Sequence, residues 1–121
     1  MLKYLVRFNY SNASWARMLN VADDRTSAVS ALVEHLGGKL ESMYWVVEDA
    51  AAFVICDLPD SISAAAAITA ATKTGGFKDV QIFELLSQEQ LRDVVALAKS
   101  TEGIYHPPGA PADEQGFASG D

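Results

Sequence analysis

The sequence predicts an α+β domain built on a four-stranded antiparallel sheet. Three observations carry the prediction. Four segments alternate their side chains between two faces, apolar stripes at helical spacing lie between them, and the boundaries hold Ser/Asp caps or Gly pairs. Half of the 121 residues are hydrophobic and 21% are charged, which suits one globular domain and excludes a wholly disordered or low-complexity chain.

The elements follow in order. Residues 2–10 set Tyr4, Val6, Phe8 and Tyr10 on one face and Lys3, Leu5, Arg7 and Asn9 on the other, a strand rich in aromatic and β-branched side chains. Ser11 or Asn12 caps a short helix with Trp15, Met18, Leu19 and Ala22 on one side. After a break at 20–24, Asp23 or Asp24 caps a second helix. Its stripe is Val29, Leu32, Val33 and Leu36, and Gly37-Gly38 ends it. Residues 39–47 and 52–58 are two strands paired as a hairpin across Glu48-Asp49. Asp60 or Ser61 then caps an alanine-rich helix over 62–72, whose small side chains let it approach its neighbour closely, and Gly75-Gly76 stops it. Residues 77–86 form the fourth strand. Ser87 and Gln90 make a capping box and Leu86 and Leu91 a staple, opening a helix whose buried stripe is Leu91, Val94, Val95 and Ala98. The domain is expected over 1–99. Residues 100–121 form a Pro/Gly-rich acidic tail, mobile or disordered from Gly109 onward.

Two crossovers joined by a hairpin give the ferredoxin-like split β-α-β unit, with its helices on one face of the sheet. The other face poses a problem. Neighbouring pairs such as Tyr4 and Leu5, Tyr44 and Trp45, Phe53 and Val54, and Ile82 and Phe83 put apolar groups on both sides of the sheet. A chain this short cannot easily cover two apolar faces, so the second is expected to pack against another copy. Two sheets face to face form a dimeric α/β barrel that can enclose a small pocket.

Charge and motifs exclude several classes. The net charge of −7 argues against broad nucleic-acid binding, and four of those charges lie in the tail, at Glu102, Asp113, Glu114 and Asp121. The single Cys56 excludes an internal disulfide. No apolar run approaches the ~20 residues of a membrane span. Residues 1–7 lack the apolar core of a signal peptide, so a cytoplasmic protein is expected. No glycine-rich phosphate loop and no His-x-x-x-His or Cys-x-x-Cys spacing is present, and neither metal nor cofactor is expected.

Lys3 to Tyr10, Trp15, Asp23-Asp24-Arg25, Leu36 to Trp45, Leu58-Pro59-Asp60 and Tyr105-His106-Pro107-Pro108-Gly109, in this order and spacing, resemble the GYD-domain family of the dimeric α/β-barrel superfamily. The resemblance covers roughly 1–109 and implies fold and oligomerisation more than activity. Superfamily members include cofactor-independent monooxygenases, isomerases and ligand-responsive regulatory domains. The chain departs from the family at the hairpin turn. Where the Gly-x-Tyr-Asp motif belongs, it has Glu48-Asp49-Ala50-Ala51, with Ala50 and Ala51 at the tyrosine and aspartate positions.

Arg7, Asn9, Tyr44 and Trp45 are the candidate ligand contacts. Arg7 suits a ligand carboxylate, its alternative being a salt bridge with Glu41 or Glu84. Tyr44 and Trp45 point to opposite faces, one under the helices and one into the barrel, as pocket walls or as plain packing. His35, near a helix end, has a role with the helix dipole. His106 is the candidate general base. Cys56 reads as a buried structural thiol. The sequence therefore favours a homodimer, or a larger homo-oligomer, that binds a small organic molecule. The alternatives are a cofactor-independent monooxygenase or isomerase acting on a small aromatic or enolisable substrate, and a purely structural assembly module.

Overall fold

Every alternating segment forms a strand. A computed structural model describes residues 1–21 and 23–109. The chain divides into two units, Met1–Leu85 and Leu86–Asp121. The first contains β1 (Leu2–Tyr10), α1 (Asn12–Asn20), α2 (Arg25–His35), β2 (Lys39–Val46), a 3-10 turn (Val47–Asp49), β3 (Ala51–Leu58), α3 (Ser61–Thr72) and β4 (Phe77–Leu85). The sheet order is β2-β3-β1-β4, with every neighbouring pair antiparallel, compatible with the ferredoxin-like arrangement.

The open choices at the helix starts resolve to Ser11, Asp24 and Asp60. Ser11 Oγ accepts the Ser14 N–H at 3.2 Å, Asp24 that of Ser27 at 3.0 Å and Asp60 that of Ser63 at 2.8 Å. These bonds to the charged form hold the Asp24 and Asp60 carboxyls below the ordinary carboxylate range. Gly38 has a reason beyond ending α2. A side chain there would overlap the Asp57 carbonyl and press on Leu58 and Val33, so α2 and β2 can meet β3 this closely only at glycine.

The core lies between the sheet and the helices. Tyr4, Val6, Phe8 and Tyr10 of β1 are buried with Val54, Cys56 and Leu58 of β3, under Val33 and Ala64. Burying an apolar side chain of this size contributes about 1.5–3 kcal/mol. The rings of Phe8, Tyr10 and Phe77 cluster with centroids 4.8–5.6 Å apart. Leu19, expected on the inner side of α1, is 69% exposed. Trp15 and Met18 are the α1 residues packed against the core, and Ala22 lies outside the described residues.

One irregularity decides which way β2 faces. Leu40 pairs with Cys56 and Ser42 with Ile55, so Glu41 is an extra residue, a bulge that resets the alternation. Beyond it Met43 and Trp45 join Leu40 on the helix side, while Ser42 and Tyr44 face away. The open face then reads in rows across the sheet. Ile55–Leu5–Phe83 is apolar, and Tyr44–Phe53–Arg7–Gln81 is mixed. Lys3 closes one end by pairing with Glu41 at 3.1 Å and Asp57 at 3.2 Å.

The second unit contains α4 (Gln88–Lys99), opened by the expected capping box. Leu91, Val94 and Val95, the stripe read from the sequence, lie at helical spacing within it. The expected mobile tail falls almost wholly on residues 110–121, outside the described residues. No described helix is long and apolar enough to cross a membrane.

Candidate functional site

The helix layer does not fill the space above the sheet. A cavity of about 730 Å³ remains between α1, α2 and α3 and the inner sheet face, within the range of small-molecule sites. Its floor is Val6, Phe8 and Tyr10 of β1, Val54, Cys56 and Leu58 of β3, and Val80 and Ile82 of β4. Val29, Leu32 and Val33 of α2 form one wall, and Ala67, Ile68 and Ala71 of α3 the other. Ala64 packs into the core, as short side chains on α3 allow, while Ala67 and Ala71 leave room for the cavity.

The polar groups gather at one end, where β1 finishes and β4 begins. Ser14 and Arg17 come from α1, Asp23 and Arg25 from the start of α2, and Thr74 from the loop after α3. Arg17 donates to Ser14 Oγ at 3.2 Å, and Arg25 pairs with Asp23 at 3.3 Å. Tyr10 reaches the same end with 3% of its surface exposed. Its hydroxyl forms no hydrogen bond of acceptable geometry. Trp45 and Arg25 lie near enough to ease its ionisation, but burial dominates and holds the phenol above its ordinary value. A buried hydroxyl without a partner is unusual and costs free energy unless something fills the place.

Burial also raises the Cys56 thiol, so Tyr10 and Cys56 both stay neutral near pH 7. Among the described residues, the cavity walls contain no histidine. They offer hydrogen bonding, positive charge and apolar surface, and no buried group poised to take a proton at neutral pH.

The residues singled out from the sequence are placed as follows. Arg7 and Asn9 share the open face and grip the hairpin turn. Arg7 Nη2 lies 3.5 Å from the Asp49 carboxylate with its guanidinium 6.0 Å from the Phe53 ring centre, and Asn9 Nδ2 donates to the Asp49 carbonyl at 2.9 Å. Glu41 and Glu84 are not the partners of Arg7: Glu41 pairs with Lys3, and Glu84 pairs in register with Tyr4 on the inner face. Tyr44 is 68% exposed on the open face, and Trp45 lies on the helix side near the Tyr10 hydroxyl. His35 is exposed in the last turn of α2. His106 belongs to the second unit and is partly buried. Sequence reasoning missed Arg17, Arg25 and the Tyr10 hydroxyl. Arg17 belongs to no motif, Arg25 entered only through the Asp23-Asp24-Arg25 resemblance with no role attached, and Tyr10 reads as one more core aromatic.

The turn gripped by Arg7 and Asn9 is the one that departs from the family pattern. Ala50 adopts the left-handed conformation there, with φ +48°, and its carbonyl accepts the Tyr10 N–H at 2.9 Å.

The GYD domain family model matches residues 4–95, and the chain belongs to that family. No curated protein matches the chain.

Proposed function

We propose that this member of the GYD domain family is a homo-oligomeric binding protein that holds a small organic molecule in the cavity between its sheet and its helices. The observation that carries the reading is the unpartnered Tyr10 hydroxyl, buried at the polar end of an otherwise apolar space of about 730 Å³. A ligand oxygen placed there satisfies it.

The homo-oligomer rests on the open face. The apolar row Ile55–Leu5–Phe83 crosses three strands and is flanked by rows that carry charge, an apolar centre within a polar rim that suits a second copy of the same sheet. Arg7, Asn9 and Tyr44 lie on that rim, and Trp45 belongs to the cavity side. The enzymatic alternative needs a base facing the substrate. An isolated substrate whose turnover falls in His106→Ala would favour it.

Native mass spectrometry before and after denaturation tests both parts. The expected mass is twice 13.0 kDa or a higher multiple, with extra mass released on denaturation. Phe83→Asp is expected to give monomers with unchanged far-UV circular dichroism. A monomer at micromolar concentration overturns the assembly. Absence of retained mass, together with no thermal shift in a screen of small organic molecules, overturns the binding and leaves the purely structural reading.

A further inference from the structure

We infer that the cavity takes an organic acid with one carboxylate on an elongated apolar body, bound with the carboxylate at Tyr10 and Arg17. This deepens the binding reading above and rests on it.

The first support is lengthwise polarity. Beyond Tyr10 the floor is apolar from Phe8 through Val6 and Cys56 to Leu58, which pairs with Leu2 at the far end of β1. Phe8 to Leu2 spans six residues, about 20 Å at ~3.3 Å per residue. A compact polar molecule would leave most of that length unused, whereas an elongated apolar body removes it from water.

The second support is charge. Asp23 engages Arg25 at 3.3 Å, while Arg17 makes no ion pair among the described residues and donates only to the neutral Ser14 hydroxyl. One positive charge is left over at the polar end, which selects a single negative charge. The planar guanidinium matches a carboxylate in two parallel hydrogen bonds. The third support is the Tyr10 hydroxyl, an unpartnered donor lining the same end. An alcohol could occupy the hydroxyl but would gain nothing from Arg17, which is exposed and hydrated without a ligand, and a cation would face the wrong sign.

The test compares decanoate, decanol and decyltrimethylammonium on the full chain, each below its micelle concentration. Two signals report occupancy: tryptophan fluorescence, because the Trp15 ring lies 5.8 Å from that of Tyr10, and protection of the sole cysteine, Cys56 in the cavity floor, from a small apolar thiol reagent. Decanoate is expected to protect Cys56 and to bind about threefold tighter than decanol, as an ion pair at an exposed arginine predicts, with the cation weakest. Arg17→Gln, at an exposed helix position, is expected to bring decanoate to the level of decanol. Equal binding of decanoate and decanol, or unchanged decanoate binding in Arg17→Gln, overturns the inference and leaves the binding reading standing. Failure of all three molecules to protect Cys56 or alter fluorescence overturns both.

Discussion

Replacing Tyr10 with Phe removes one oxygen and little else, which makes it a sharp probe of the cavity. The ring contacts with Phe8, Phe77 and Trp15, at 5.6, 5.3 and 5.8 Å between centroids, are open to phenylalanine as well. In an ordinary core the substitution loses a hydrogen bond and costs about 1 kcal/mol. Here the hydroxyl is buried without a partner, a situation that itself costs roughly 1–3 kcal/mol in proteins. Proximity of Trp45 and Arg25 offsets part of that penalty, so the lower end applies. Tyr10→Phe is therefore expected to stabilise the ligand-free protein by about 1 kcal/mol, a rise of ~4–8 °C in Tm for a domain of this size. Urea denaturation at unchanged slope is the assay. The sign decides the matter. A loss of 1 kcal/mol or more would mean that the hydroxyl already has its partner, and the argument for a ligand oxygen at Tyr10 would fall. With decanoate bound, the same substitution is expected to weaken binding, so the residue trades stability for affinity.

Gly38→Ala is expected to destabilise by about 3 kcal/mol because the new methyl overlaps the Asp57 carbonyl, while Gly75→Ala, in open space at φ +77°, costs about 1 kcal/mol; equal effects in denaturant titrations would contradict the close approach of α2 and β2 to β3. Ala50→Gly relieves a left-handed alanine and is expected to raise the denaturant midpoint by the equivalent of about 1 kcal/mol, and a fall in stability would show that no strain is held in the turn. Asp60→Ala is expected to lower stability at neutral pH. The cap's carboxyl is depressed in the folded state, so its contribution is present above the unfolded value and lost as pH falls through the folded one; the variant and parent curves should converge in acid, and a constant gap would mean that the charge is not what matters.

Much of the architecture can be read from the residues because local chemistry specifies it. The capping box at Ser87 and Gln90, the acid caps at Asp24 and Asp60, and the alternation of β1 all depend on near neighbours in sequence. What could not be read depends on tertiary phase. A perfect alternation starting from Leu40 would send Tyr44 inward and Trp45 outward. The bulge at Glu41 reverses this, and bulges follow from how strands meet rather than from their own composition. The cavity was hidden for a related reason. Alanines in α3 are compatible with tight packing or with a gap, and helix separation, set elsewhere, decides between them. Arg17 and Arg25 stand eight positions apart on different helices, so only the turn between α1 and α2 makes them neighbours of one space.

The sheet separates two compartments by the thickness of a single peptide layer. Val6, Phe8 and Cys56 face the cavity, and Leu5, Arg7 and Ile55, the very next residues along the chain, face away from it. A hydrogen-bonded layer resists bending, so an occupant on the inner side is insulated from whatever lies against the outer one. The insulation is thinnest at the end of β1. Tyr10 sends its side chain inward while its N–H holds the Ala50 carbonyl, next to the Asp49 that Arg7 and Asn9 grip from outside. Any crosstalk between the two compartments has its shortest route there, through one residue and the turn it anchors.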